Sequence, residues 1–337
     1  MRKTFFFIIL QCSILFAQAQ IDTLLLPYDA TSLTQEQLES NPTILAYPTS
    51  LKNQIPEMKC DYYFTINDEG GRVEFSPGNL QYQASTGLWR FAEHQWDLVG
   101  DNVIGTVYEN GVKCDNTQIG NSYTGWIDLF AWGTSGWFRG YAEYYMPTST
   151  DDNPYESQKY YIRNHPSQNL AGTNADWGVY NQIGQDAPNT WRTLLATQWN
   201  YILLSRPNAY NLWCMATIGD TVTGCILLPD NWHPIEGLAL IPRGDESINV
   251  FSFEDWNILE NHGAVFLPKA GRRVVKAYTD ASGYWSSTAN TTRRLNWGSM
   301  TYSAYAYCVT LSSISPSVST ERRCYGLAVR LVKDIDN

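Results

Sequence analysis

The sequence predicts an α+β fold with two helices, antiparallel sheets and long loops. Apolar and polar residues alternate with a period of two through residues 281–332, and two shorter alternating runs lie within 62–83. Successive side chains of a strand point to opposite faces, so this period is typical of sheet. Two other segments, 193–206 and 252–263, repeat their apolar residues at helical spacing.

The N-terminal residues have the pattern of a secretory signal peptide. Arg2 and Lys3 precede an apolar run over 5–16, and Ala17 and Ala19 supply the small residues of a cleavage site before Gln20. We therefore expect 1–19 to be removed and the protein to be secreted or displayed at the cell surface. The run is shorter than the ~20 apolar residues of a membrane-spanning helix, and no later stretch is long enough to span a bilayer.

The rest of the chain divides into an arm and one domain. Residues 20–60 are rich in Pro, Ser, Thr and Gln without a sustained period, which indicates a linker. The domain is expected to span 61–337. It begins with the runs of 62–83, which predict a strand pair around the glycine turn at 68–71. Residues 88–180 predict loops held in place by buried aromatic side chains.

The first helical segment is amphipathic. Leu195, Trp199, Ile202 and Leu203 lie on one face of the predicted helix, and Pro207 ends it.

The second helical segment has both end signals. Ser252 is a predicted N-cap with acidic residues in the first turn, and Gly263 occupies the position of a C′ glycine. Trp256 and Leu259 are expected to face the core. Each helix is followed by a strand-like run that ends in proline. These runs are 225–229 and 264–268.

Six cysteines remain after signal cleavage, an even number that permits disulfides in an exported protein. Cys214 and Cys225 flank a predicted hairpin over 215–224 and are the first disulfide candidate. Cys308 with Cys324 is a second pair, and buried free thiols are the alternative. The absence of CxxC and of Cys/His spacing argues against a zinc site.

Charge excludes some classes of partner. The formal net charge of −10 provides no basic patch for nucleic acid, and it disfavours an anionic membrane surface. Acidic and amide side chains at 151–156 could offer oxygen ligands. We interpret them as a solvated loop and predict no cofactor, with calcium at this loop as the alternative.

No catalytic residue is predicted. The histidines have no HxH or HExxH spacing, and no GxSxG motif is present. The C-terminal segment is instead interpreted as a displayed binding face, because Tyr, Trp and Arg make good contact surfaces. Its candidate ligand-binding residues are Arg293, Arg294, Trp297, Tyr302, Tyr305, Tyr307, Arg322 and Tyr325. Nine tryptophans are predicted to be core residues: Trp126, Trp132, Trp137, Trp177, Trp191, Trp199, Trp232, Trp256 and Trp285.

Seven separated motifs carry a resemblance to a known family. They are 75–83 (FSPGNLQYQ), 126–136 (WIDLFAWGTSG), 175–181 (ADWGVYN), 226–232 (ILLPDNW), 255–268 (DWNILENHGAVFLP), 284–288 (YWSST) and 326–332 (GLAVRLV). In this order they resemble the secreted "major paralogous domain" proteins of gut Bacteroidetes. That family belongs to the group of C-type-lectin folds that includes formylglycine-generating enzymes. The resemblance implies a C-type-lectin-like fold over about 62–334.

Residues 284–330 resemble the variable region of diversity-generating retroelement target proteins. In that group an error-prone reverse transcriptase rewrites adenines of a template repeat, and the fold displays the products as a ligand-binding face. The resemblance implies an exported, non-catalytic receptor or adhesin with a protein or glycan ligand. The alternative for the segment is an ordinary fixed strand face rich in Tyr and Ser.

Two other functions fit the resemblance. One is an enzyme of the formylglycine-generating type acting through a different residue set, since Cys308 and Cys324 lie too far apart for that family's cysteine pair. The other is a structural protein of the cell envelope.

Overall fold

The computed structural model describes residues 62–97, 108–109, 112–113, 120, 122–138, 146–149, 167–274, 277–279, 281–296, 299–302 and 304–335. The chain divides between Cys60 and Asp61, and every described residue belongs to the second unit. The predicted signal peptide, the arm, the acidic loop at 151–156 and Trp297 lie outside the described residues.

The strands are short and numerous. In chain order they are β1 (Phe64–Thr65), β2 (Arg72–Phe75), β3 (Leu80–Gln83), β4 (Leu88–Phe91), β5 (Tyr108–Glu109), β6 (Val112–Lys113), β7 (Trp126–Ile127), β8 (Arg192–Thr193), β9 (Trp213–Ile218), β10 (Val222–Leu227), β11 (Val250–Phe251), β12 (Val265–Pro268), β13 (Arg272–Val274), β14 (Ala277–Thr279), β15 (Ser282–Ala289), β16 (Arg293–Asn296), β17 (Ser299–Tyr302), β18 (Tyr305–Leu311), β19 (Pro316–Arg322) and β20 (Leu331–Ile335). The helices are α1 (Trp177–Tyr180), α2 (Ala196–Asn200) and α3 (Phe253–Asn261), with a π-helical turn (Tyr201–Ser205) and a 3₁₀ turn (Ala209–Asn211).

These strands build mostly antiparallel sheets. The strand orders are β1-β2-β20-β8, β11-β9-β10-β12, β13-β14-β6-β5, β15-β18-β19, β16-β17 and β4-β3-β7. Among the described strands only β11 and β9 pair in parallel. The mixed helix-and-sheet class with antiparallel sheets is therefore confirmed.

The predicted strand pair at the start of the domain is confirmed. Strands β1 and β2 pair antiparallel. Gly70 has a φ of +82° in the turn, a conformation that favours glycine. On its other side β2 pairs with β20, so the two ends of the domain meet in one sheet.

The first predicted helix forms over a shorter span than its pattern indicates. Thr193 belongs to strand β8, and helix α2 begins at Ala196 and continues into the π-helical turn. The N–H of Arg206 bonds to the carbonyl of Tyr201 at 2.9 Å, which closes that turn before Pro207. Trp199, like Ile202 and Leu203, is buried as predicted.

Helix α3 confirms both predicted end signals. The Oγ of Ser252 accepts from the N–H of Asp255 at 3.1 Å, and the Asp255 carboxylate accepts from the N–H of Ser252 at 3.0 Å. This reciprocal pair is a capping box. Gly263 follows the helix with a φ of +83°. Trp256 is fully buried.

Six of the nine tryptophans predicted to be core residues are buried, whereas Trp126, Trp137 and Trp232 are half-buried. The tryptophans with no exposed surface are Trp132, Trp177, Trp199, Trp256 and Trp285. One cluster of apolar side chains lies between helix α2 and one face of the β9–β10 hairpin. A second surrounds the loops after β7, and a third joins helix α3 to the other face of the hairpin.

The predicted disulfide between Cys214 and Cys225 is corrected by the register of the hairpin. Cys214 lies opposite Ile226, and Cys225 lies opposite Met215. Neighbouring positions on a strand point to opposite faces, so the two thiols lie on different sides of the sheet. Both are buried free cysteines, Cys225 in the first cluster and Cys214 in the third.

Candidate binding surface

Strand β15 is buried at every position except the half-buried Thr288, so its alternating sequence does not produce an open face. Ser286 and Ser287 have no exposed surface. The carbonyl of Ser286 accepts from the indole of Trp132 at 2.8 Å, and the N–H of Ser287 donates to the carbonyl of Leu194 at 2.8 Å. Tyr284 belongs to the first core cluster and its neighbour Trp285 to the second, so both faces of β15 are covered by elements distant in sequence. Within the predicted binding segment, the described half-buried side chains that could contact a ligand therefore lie mainly on strands β18 and β19.

Strands β18 and β19 bring two predicted ligand-binding residues directly together. Tyr305 lies opposite Arg322, and Tyr307 lies opposite Thr320 on the same face. The Arg322 guanidinium carbon lies 5.9 Å from the centroid of the Tyr305 ring, within the range of a cation–π contact. Tyr305, Tyr307 and Arg322 are half-buried, so each keeps part of its surface available to a ligand.

The backbone beneath the two tyrosines is held by several hydrogen bonds. The carbonyl of Tyr305 accepts from the N–H of Asn290 at 3.2 Å and from the Nε of Arg323 at 3.0 Å. The carbonyl of Tyr307 accepts from the Oγ of Ser286 at 2.8 Å. Arg323 is fully buried, and its guanidinium lies 4.5 Å from the Trp132 ring centroid. These bonds fix the positions from which the tyrosine rings project.

A second arginine–tyrosine pair borders this surface. Arg272 of β13 forms an ion pair with Glu321 of β19. Its guanidinium carbon also lies 5.0 Å from the ring centroid of Tyr325, which is half-buried. Sequence reasoning identified Tyr325 but missed Arg272 and Glu321. One signal was available, because Glu321 is the single acidic residue of 281–332.

The remaining predicted residues lie in the β16–β17 hairpin. Arg293 is paired with Tyr302, and Arg294 with Thr301. The hairpin is inserted between β15 and β18, and its first strand follows Asn290, the residue whose N–H bonds to Tyr305. The backbone of the hairpin therefore leaves the sheet from the end that carries the Tyr305–Arg322 pair.

The buried thiol of β18 is not suited to nucleophilic chemistry. Burial raises the pKa of Cys308 to about 12, with a smaller contribution from Glu321 in the same direction. A thiolate is the reactive form of cysteine, so this side chain is protonated near neutral pH. The surface can bind through aromatic rings, guanidinium groups and backbone amides.

A cavity elsewhere in the domain shares no residue with this surface. Its volume is about 570 Å³, and it is lined by side chains of 208–214 and 228–242 that include Trp213, Asp230 and Trp232. None of the predicted ligand-binding residues contributes to it. We give more weight to the β18–β19 surface, because there the predicted residues are brought together by the strand register.

The described residues contain neither a cluster of metal-ligating side chains nor a membrane-spanning helix. In that part of the chain no group of His, Cys, Asp and Glu is arranged to hold a metal ion. Nor does any helix there have the length and apolar character needed to cross a membrane.

Comparison with known proteins provides no further assignment. No family model, no curated protein and no solved structure matches this chain, so its function is argued from the residues of the β18–β19 surface.

Proposed function

We propose that this protein is an exported, non-catalytic binding protein that recognises a protein or glycan ligand through the β18–β19 surface. The observation that carries the proposal is the Tyr305–Arg322 pair, which joins two predicted ligand-binding residues at directly opposite positions of adjacent strands. Tyr and Arg are the residue types most often found at the energetic centres of interfaces.

The rigidity of this surface supports a binding role. The carbonyls of both Tyr305 and Tyr307 accept hydrogen bonds from buried side chains, and their strand β18 is paired with β19 along its whole length. A rigid surface loses little conformational entropy on contact, so more of its interaction energy appears as affinity.

The scaffold of the proposal is a C-type-lectin-like fold. The mixed helix-and-sheet class, the two predicted helices and the terminal antiparallel sheet are consistent with that expectation. In β18 and β19 the positions that a retroelement would diversify are 306–308, 310, 316–317 and 319–322, whereas Tyr305 and Val318 match framework positions of the family.

A ligand screen with a matched pair of variants tests the binding role. The purified protein is applied to arrays of glycans and of extracellular proteins, together with Tyr305→Thr and Tyr210→Thr. Tyr210 is a suitable control because it is 63% exposed and is stacked by Arg243 at 4.1 Å, yet it lies far from β18 in sequence. We expect the affinity for at least one ligand to fall about tenfold or more in Tyr305→Thr and to be unchanged in Tyr210→Thr.

A result in which both variants behave alike, or in which no ligand depends on Tyr305, would contradict the binding role of this surface.

Diversification has a separate test at the level of DNA. The codons for 281–332 and their flanks are sequenced in many cells of one lineage. Differences confined to template adenines, beside a near-copy repeat and a reverse transcriptase gene, are the expected result. An invariant segment with no neighbouring repeat would remove diversification from the proposal and leave a fixed binding module.

A further inference from the structure

Strand β19 is an edge strand with backbone groups that face away from its sheet. The N–H of Arg323 donates to Ala304 at 3.0 Å, and the N–H of Ser312 donates to Ser315 at 3.1 Å. Hydrogen-bonded pairs alternate along an antiparallel ladder, so between these two bonds the bonded positions of β19 are 317, 319 and 321. The positions between them direct their N–H and C=O groups outward.

The outward positions are Val318, Thr320 and Arg322. The N–H of Arg322 donates to the Glu321 carboxylate at 3.0 Å. Among the described residues, neither Val318 nor Thr320 has a backbone partner on the outer side, and no strand lies beyond β19. An exposed edge of this kind is a template for an additional strand.

The charged side chains at this edge leave one positive charge, whereas the whole chain has a formal net charge of −10. Strand β19 contains one arginine, Arg322, and one acidic residue, Glu321. Glu321 is already neutralised by its ion pair with Arg272. In the part of the chain that the structure describes, the guanidinium of Arg322 contacts the Tyr305 ring and has no carboxylate partner.

We propose that the β19 edge binds an extended acidic segment of a partner protein, which adds to the sheet as a strand and places a carboxylate against Arg322. This inference rests on the proposed binding function and names the ligand class of the same surface. In such strand addition the backbone bonds supply affinity, and side chains at alternate positions supply specificity.

The occupant is a short acidic segment rather than a long polyanion. A guanidinium binds a carboxylate through paired N–H donors, and cross-strand pairs of opposite charge stabilise a sheet. The net negative charge of the remaining protein opposes a long polyanion that extends beyond the edge.

The charge contribution is tested with two peptides and two variants. The full chain is titrated into a fluorescent peptide of alternating valine and glutamate, and into the same peptide with glutamine in place of glutamate. Arg322→Gln is compared with Arg72→Gln, since Arg72 also lies over a tyrosine ring, that of Tyr63, at 4.3 Å on a different sheet. We expect the glutamate peptide to bind about tenfold more tightly than the glutamine peptide. Arg322→Gln should abolish this difference, and Arg72→Gln should preserve it.

The backbone contribution is tested at Thr320. The N–H of Thr320 faces outward, so Thr320→Pro removes a donor from the edge without breaking the ladder to β18. Thr320→Val keeps the N–H and serves as the control. We expect Thr320→Pro to lower the affinity for both peptides about tenfold or more. Thr320→Val should bind both peptides as tightly as the unmodified chain does.

Several results would overturn the inference. Equal binding of the two peptides, an equal effect of Arg72→Gln and Arg322→Gln, or no effect of Thr320→Pro would each do so. Binding of dextran sulfate in place of the acidic peptide would point to a glycan polyanion. Light scattering that shows a dimer lost in Thr320→Pro would make a second copy of the chain the occupant.

The two proposals fail in different ways. If a ligand from the array depends on Tyr305 but is uncharged and insensitive to Arg322→Gln, only the acidic-strand inference fails. If no ligand depends on Tyr305 and neither peptide binds, the binding function of the surface fails with it.

Discussion

Asp176 is a fully buried carboxyl group at the N-cap of helix α1. It accepts hydrogen bonds from the N–H of Gly178 at 3.2 Å and from the N–H and Oγ of Thr193 at 3.0 Å and 2.9 Å. Burial away from water raises the pKa of Asp176 by more than these hydrogen bonds lower it, so the pKa moves from 3.8 to about 6. The folded state therefore binds this proton more tightly than the unfolded chain.

A pH dependence follows from the raised pKa of Asp176. The contribution of this group to the free energy of unfolding is largest below about pH 4 and declines by on the order of 2 to 3 kcal/mol as pH rises through about 6. Asp176→Asn has no such titration. Urea unfolding at several pH values should show the unmodified chain losing more stability over this range than the variant. Parallel curves for the two proteins would contradict the prediction.

Arg206 and Arg330 are both buried, but within the described residues only Arg206 forms an ion pair with a carboxylate. Nη1 of Arg206 lies 2.6 Å from the Asp230 carboxylate, and its Nε donates to the carbonyl of Ile202 at 2.8 Å. Arg330 donates from Nη2 to Gln95, whereas its buried Nε and Nη1 have no hydrogen-bond partner in the part of the chain that the structure describes. Burial lowers the pKa of Arg330 to about 10.

The same substitution should therefore have different effects at the two arginines. Arg206→Met leaves the Asp230 carboxylate without its cation and is expected to lower the free energy of unfolding by about 3 to 5 kcal/mol. Arg330→Met removes an incompletely satisfied buried charge and is expected to change stability by less than ~1 kcal/mol in either direction. Chemical denaturation of the two variants measures this, and similar losses at both sites would contradict the argument.

At the scale of the element, the capping box of helix α3 tests whether local signals stabilise the fold. Ser252→Ala removes the acceptor for the N–H of Asp255 and should cost about 1 kcal/mol of unfolding free energy. Ser252→Gly is the control, because glycine at an N-cap costs only a few tenths of a kcal/mol. If thermal unfolding shows Ser252→Gly to be less stable than Ser252→Ala, the cap does not act as described.

The β9–β10 hairpin gives a prediction about thiol chemistry. Cys214 and Cys225 lie on opposite faces of the sheet, so neither can reach the other without a change of register. Burial also raises the pKa of Cys214 to about 12 and that of Cys225 well above its ordinary value. Alkylation of the unfolded protein without reductant, followed by peptide mass spectrometry, should label both cysteines. A linked peptide that contains both residues would contradict the assigned register.

At the scale of the whole molecule, strand β20 joins the end of the domain to its beginning. It pairs with β2 on one side and with β8 on the other. Val332 is fully buried in the first cluster, and Leu331 is fully buried in the second. One short strand therefore contributes to two parts of the core.

Neighbouring substitutions in β20 should have very different consequences. Val332→Asp places an unpaired charge in the core and is expected to cost more than ~4 kcal/mol, enough to unfold most domains of ordinary stability. Lys333→Ser removes an exposed ion pair with Glu74 and should cost less than ~1 kcal/mol. Circular dichroism during heating distinguishes the two, and a folded Val332→Asp protein would show that β20 is dispensable.

The sequence by itself determined the elements whose signals are local. The glycine turn at 70, the cap at Ser252, the C′ glycine at 263 and the hairpin between Trp213 and Leu227 all formed where predicted. Turn residues, caps and apolar periodicity act over a few positions along the chain, so they can be recognised without knowing what packs against them. The burial of the central tryptophans was predictable for a similar reason, since their apolar neighbours accompany them in sequence.

Only the tertiary structure decided which faces are covered. Alternation in β15 suggested an open face, but Tyr284 packs in the first core cluster and Trp285 in the second, so neither face is open. Alternation in β18 and β19 is of the same kind, yet Tyr305 and Arg322 remain half-exposed. A period of two specifies that a strand has two faces, and it carries no information about what distant segments pack on either of them. Long-range packing therefore selected the surface that we propose for binding.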